Sequence, residues 1–391
     1  MKFRKHHFNA KRSAENADLR KAPGAATISD KTRHKKDYDI IYAGQSGNYK
    51  KIKIPHGCEI EPEISHVTPP AGPAVLDKKA RKKLSKATLQ ARKADLKLKA
   101  SRWKHSYGDR IDGRRLHEIT GMNRFMAYIM PERNDAQNTY ADSFDITKAE
   151  RYCREKNKSG MTGFGILHVL LASYVRVVSQ RPGINRFING QEIYSRYSID
   201  VVMTIKKNMT IDSPDTCIKV HFEPTDTIDE VYAKFNKIVE ESTGENSDTG
   251  FDSFSGALLK IPRFALRFFV WLVNKLDYHG KLPLSLLEIS PFHGSMIITS
   301  MGSLGIKPIY HHIYNFGNLP VFVSYGKKKT VVGYESDGSV SRRKLIDIKV
   351  VTDERICDGF YYASAFKLMK KYVENPELLE TPPEQVIDDV N

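Results

Sequence analysis

Cysteine is scarce in this chain: Cys58, Cys153, Cys217 and Cys357 are the only four in 391 residues, and no two form a Cys-x-x-Cys pair. That excludes a disulfide-stapled scaffold and a thiol-redox motif. With no apolar run of secretory length after Met1, it points to a reducing, cytoplasmic setting. Long apolar runs are missing too, since no stretch approaches the roughly 20 apolar residues of a membrane span. A repeating βαβ pattern is also absent, which argues for α+β rather than a doubly wound sheet. Most of the chain lacks net charge. Residues 106–391 carry 36 Lys and Arg against 36 Asp and Glu, so the formal +16 lies wholly in residues 1–105, where 26 oppose 10.

Residues 1–75 are polar, rich in charge and turn formers, and run into Pro69-Pro70-Ala71-Gly72-Pro73. They read as a basic, partly disordered and largely irregular extension, with a short ordered piece around 38–54. From 76 to 105 the pattern changes. Leu76, Ala80, Leu84, Ala87, Ala91, Ala94 and Leu98 recur at spacings of four and three, a basic helix with a thin, alanine-rich stripe. Such a helix either lies on nucleic acid or an anionic membrane surface, or packs its stripe on the globular part. Trp103 is the only aromatic in that stretch, whereas a nucleic-acid surface calls for more stacking residues.

The globular domain is expected over 106–391. Apolar spacing predicts helices over 122–130, from Thr147, over 162–180 and over 227–241, and strands over 140–146, 199–206 and 219–222. One helix, 262–276, departs from the rest: Phe264, Leu266, Phe268, Phe269, Val270, Trp271, Leu272 and Val273 leave it apolar nearly all round. Such a helix must be covered, by the domain core, by another copy or by lipid.

Two segments carry a resemblance. Asp353-Glu354-Arg355-Ile356-Cys357-Asp358-Gly359-Phe360 resembles the His-x-x-x-Asp-Gly block of chloramphenicol acetyltransferases and of the catalytic domains of 2-oxo acid dehydrogenase acyltransferases. Glu354 stands where that family has its catalytic His. Upstream, Gly294-Ser295-Met296-Ile297-Ile298-Thr299-Ser300-Met301-Gly302 is similar to the family's Gly-Gly-Thr-Phe-Thr-Ile-Ser-Asn-Leu-Gly segment. The pieces at 182–185, 321–326 and 346–351 follow in the family's order, so the resemblance spans about 110–385.

The resemblance implies a mixed sheet flanked by helices, a trimer, and acyl transfer from a coenzyme A thioester. It places Thr299 at the position that stabilises the oxyanion and Glu354 at that of the base. A carboxylate has an ordinary pKa near 4.3, so Glu354 would need burial to act near neutrality. His293, His311 and His312 flank the Thr299 segment and offer imidazole bases that need no tuning. Their spacing matches no metal-ligand motif, and no metal is expected. Asp358 is expected to pair with Arg124, or secondarily Arg133, and Gly359 to fill a turn too tight for a side chain. Cys357 reads as packing. Asp77-Lys78-Lys79 lies in the basic helix rather than at a hairpin tip, so no lipoyl group is expected. The resemblance also allows a non-catalytic relative that binds a thioester or serves assembly or regulation. Residues 1–105 would then meet an anionic partner, with the protein cytoplasmic or peripheral on a membrane.

Overall fold

The computed structural model describes residues 38–43, 50–55, 78–206, 215–243, 254–256, 258–334 and 337–390, with side chains from 85 onward. The chain divides into two units, 1–72 and 73–391. In the first, β1 (Tyr38–Ala43) and β2 (Lys50–Pro55) pair antiparallel, with Tyr38 opposite Pro55. The remainder of the expected irregular extension lies outside the described residues.

The second unit is a mixed α+β structure. Its main sheet has six strands in the order β4 (Gln137–Asp145), β11 (Val340–Asp353), β10 (Val321–Tyr334), β9 (Met296–Ser300), β7 (Ile199–Lys206) and β8 (Asp215–Phe222). β9 runs parallel to both of its neighbours, and the other pairs are antiparallel. A smaller sheet joins β3 (Gly113–Arg115), β6 (Glu192–Arg196) and β5 (Arg186–Asn189).

Alternation decides which face each strand buries. In β8 the side chains of Thr216, Ile218, Val220 and Phe222 are buried, while Cys217, Lys219 and His221 turn to the other side. Ile298, Val323, Ile348 and Val350 face the large core beneath α3 (Thr147–Lys158), α4 (Ile166–Gln180), α5 (Ile228–Thr243) and α8 (Gly359–Glu374). α4 is apolar on nearly every side because it is buried along nearly its whole length, and Pro182 stops it by denying the next turn a backbone donor. Four residues of its predicted span, 162–165, lie ahead of the helix.

The opposite face of the sheet is covered by the β9–β10 connection. There Val202, Ile297, Phe322 and Val351 pack against Ile313 and Leu319. Gly317 lets that connection close: its φ is +81°, and a Cβ would fall 2.1 Å from the carbonyl oxygen of Phe292. A third cluster joins Leu96 of α1 (Lys78–Ala100) to Val273 of α6 (Arg263–Tyr278) and to Leu284 and Leu287 of α7 (Leu284–Ile289).

For the helices, one expectation is corrected and one is narrowed. α1 does not bury its alanine stripe; Ala87, Ala91, Ala94 and Leu98 are exposed, and Leu89, Arg92, Leu96 and Lys99 face inward. α6 is not covered by its own domain: Phe264 is 77% exposed, Phe268 61% and Trp271 54%. Among the described residues no helix is long and apolar enough to cross a membrane.

Candidate active site

Thr299 lies near the end of β9, level with Ser324 of β10, which in turn is level with Lys349 of β11 and so with Ala141 of β4. Ile298 points into the large core, so Ile297 and Thr299 project to the other face, together with Phe322 and Ser324. The β9–β10 connection runs over this face, and the Ile309 N–H donates to Ser324 Oγ at 3.3 Å. Lys349 lies 4.3 Å from the Tyr310 ring centroid.

His311 belongs to the same face. Its ring stacks on Phe322 with centroids 4.4 Å apart and planes 6° from parallel. Phe322 is level with Ile297, so it lies one strand across from Thr299 and two residues along it, about 8 Å by strand geometry, and the His311 ring stacks on top of it. His311 Nε2 is buried without a hydrogen-bond partner. Burial, with a smaller contribution from His312, lowers the imidazole below its usual pKa. His312 is exposed and meets Tyr314 edge-on at 5.0 Å.

Glu354 lies elsewhere. It follows β11, is exposed, and donates its backbone N–H to Ala136 O at 2.8 Å. Five residues separate it from Lys349, the β11 residue level with the Thr299 row, a span of roughly 16 Å in an extended strand. Within one chain Glu354 therefore stands beyond the end of β11, well along the sheet from the Thr299 row, which crosses the middle of β4. His293 lies ahead of β9 and is buried, with Nδ1 2.7 Å from Ser290 Oγ and Nε2 3.2 Å from Asp277 Oδ2. It turns away from Thr299.

The expected structural contacts around the signature also change hands. Asp358 is exposed and makes no pair with Arg124; it caps α8, accepting from Tyr361 N–H at 2.8 Å. Arg124 instead reaches Glu192 at 3.5 Å. The carboxylate that meets the arginines is Asp353, bidentate to Arg355 at 2.8 and 2.7 Å and 3.3 Å from Arg133. Arg133 also donates to the carbonyls of Tyr314 and Gly317, tying β11 to the β9–β10 connection. Gly359 does not fill a cramped turn either, because nothing lies within 4 Å of where its Cβ would stand. The close approaches are at Gly294, where a Cβ would be 2.9 Å from Asp200 O, and Gly302, 2.5 Å from Gly326 O. Burial pushes the Cys357 thiol up to about 12, which suits packing rather than nucleophilic attack.

Sequence reading missed Asp353 because it stands next to the signature position and ends an apolar strand. A charged residue at that point is a sign that a buried partner must exist. Among the described residues no cluster of three or more His, Cys, Asp or Glu is placed to hold a metal ion.

No family model and no curated protein matches the chain. Solved structures do. It is similar to a probable dihydrolipoamide acetyltransferase from Listeria monocytogenes, with 14% identity, 66% of this chain and 93% of that one covered, and a TM-score of 0.42. It is similar to a chloramphenicol acetyltransferase, with 10% identity, 67% and 99% covered, and a TM-score of 0.41. A third is a truncated catalytic core of the 2-oxoacid dehydrogenase multienzyme complex from Thermoplasma acidophilum, with 15% identity, 67% and 98% covered, and a TM-score of 0.39. These neighbours are chloramphenicol acetyltransferase-like catalytic domains, the group whose motifs 294–302 and 353–360 resemble.

Proposed function

We propose that this chain is an acyltransferase that moves an acyl group from a coenzyme A or carrier thioester to an acceptor, on the sheet face that bears Thr299. The observation that carries this reading is the buried, unpartnered Nε2 of His311 on that same face. Acyl transfer needs a base for the acceptor's proton and a donor for the tetrahedral oxyanion. His311, held neutral by burial, takes the proton and returns it to the leaving thiolate, while the Thr299 hydroxyl donates to the oxyanion.

The working unit is a homotrimer in this proposal. If Thr299 and Glu354 serve one substrate, they come from different copies, because one chain holds them roughly 16 Å apart along the strand direction. Residues 1–105 meet an anionic partner, nucleic acid or a membrane surface, in the cytoplasm. Arg92 and Lys99 are engaged in internal ion pairs, so that contact falls to the other basic residues.

The test is release of free thiol from acetyl-coenzyme A across variants. His311→Gln should lower the rate ~10²–10⁴-fold and Thr299→Val ~10²–10³-fold. The pH profile separates the two bases. With neutral His311 as base, the rate holds as pH falls to about 6.5 and declines below it, since burial depresses that pKa. Glu354→Gln inactive and His311→Gln active would move the base to Glu354. Saturable coenzyme A binding with no turnover in any form would favour the non-catalytic relative. The exposure of Glu354 at the family's His position supports that second reading.

A further inference from the structure

Away from the Thr299 face, Ser290, His293 and Asp277 form a chain of hydrogen bonds that the reading above does not use. Asp277 lies on α6, and Arg110 fixes it by donating to Oδ1 and to its backbone carbonyl, both at 2.8 Å. Burial alone would disfavour its charge, but His293 and Arg110 hold the carboxyl well below the usual range, so it is ionised and accepts only. The proton between Asp277 Oδ2 and His293 Nε2 therefore sits on Nε2. That leaves a lone pair on Nδ1, 2.7 Å from Ser290 Oγ, and the serine hydroxyl donates to it. Burial also keeps His293 in its neutral form against the pull of Asp277, and the nearby Lys219 acts in the same direction as burial.

Ser290 and His293 lie in the wall of an apolar cavity of about 180 Å³, between α6, α7 and the β9–β10 connection. Phe269, Val273, Leu286, Phe292 and Phe316 line it on these sides, and Phe254 and Leu258 close another. A dry apolar cavity of ~150 Å³ accepts benzene, so this one has room for a group of about six carbons. An oriented carboxylate, a neutral imidazole and a serine hydroxyl are the parts of an activated nucleophile.

We propose that Ser290 is an acyl-accepting nucleophile, served by His293 and Asp277, for medium-chain acyl esters or thioesters whose chain fills this cavity. Ser290 Oγ attacks the acyl carbon as His293 Nδ1 takes the hydroxyl proton. The C–O or C–S bond of the substrate breaks, and the proton passes to the departing alcohol or thiolate. Water or another hydroxyl then attacks the acyl-serine, with His293 taking its proton and returning it to Ser290 Oγ. This site is independent of the Thr299 face.

The test uses the full chain and alkyl fluorophosphonates with methyl, hexyl and dodecyl groups, read by intact mass and peptide mapping. One adduct per chain on Ser290 is expected, forming at least tenfold faster with the hexyl than with the methyl or dodecyl probe. Ser290→Ala should form none. His293→Gln should react ~100-fold more slowly. The chain-length series on the unaltered protein keeps the test decisive even if the buried His293 variant fails to fold. No adduct, or a Ser290 adduct indifferent to chain length, would overturn the proposal and leave Ser290 and His293 as a hydrogen-bonded turn. An adduct on Thr299 alone would overturn it too.

Discussion

Asp353 is 0% exposed and lies between Arg355 and Arg133, whereas Asp358, five residues on, sits in solvent at the start of α8. Their chemistry predicts different costs. Asp353→Asn leaves two buried guanidiniums without a counter-charge and should cost about 3–5 kcal/mol. Asp358→Ala removes one helix cap and should cost about 1 kcal/mol. Urea unfolding of both variants checks the assignment, and equal losses would return the structural role to Asp358. The acidic residue, an arginine partner and Arg133 as a candidate were legible in the sequence. Which carboxylate faces inward was not. Asp353 closes β11 with its backbone N–H on Pro320 O, while Asp358 falls beyond the turn that follows.

Helix α1 shows how a periodic pattern can name the right element and the wrong face. Alanines at spacings of four and three marked a stripe, but an alanine offers little area to bury, and leucines with ion pairs decide the orientation. Leu96 is 2% exposed in the third cluster, and Arg92 bridges Asp200 at 2.9 Å and Glu288 at 3.1 Å while donating to Ser198 Oγ. Leu96→Ala should therefore cost ~2–5 kcal/mol, and Ala91→Lys should stay within about 0.5 kcal/mol. Thermal melts would distinguish them, and a costly Ala91 change with a silent Leu96 one would restore the alanine face. α6 differs in kind. Its inward side, Val273 and Asp277, is occupied by the third cluster and by the Arg110–His293 contacts. Its aromatic side faces outward.

The chain carries a charge-balanced domain and a basic segment, and its candidate groups lie on and around one sheet. Thr299 and His311 share a face, His311 through its stack on Phe322, and Glu354 stands beyond the end of β11. The proposed trimer predicts that sedimentation reports three times the 44.5 kDa chain. A monomer at working concentrations would mean that Thr299 and Glu354 never serve the same substrate, leaving His311 as the base within a single chain.

Composition and spacing by themselves determined that this is an α+β chain and that its net charge resides in residues 1–105, while 294–302 and 353–360 carried the resemblance to one acyltransferase family. Local periodicity and turn chemistry are short-range properties, which is why most of the α-helices, but only three of the strands, were legible from them. The tertiary structure alone decided which groups meet. The three-stranded sheet of β3, β5 and β6, the Asp353–Arg133 pair across 220 residues and the Ser290–His293–Asp277 chain all depend on contacts that no local pattern encodes. A buried charge or ring nitrogen takes its role from its partners, and those are set by the packing of elements distant in sequence.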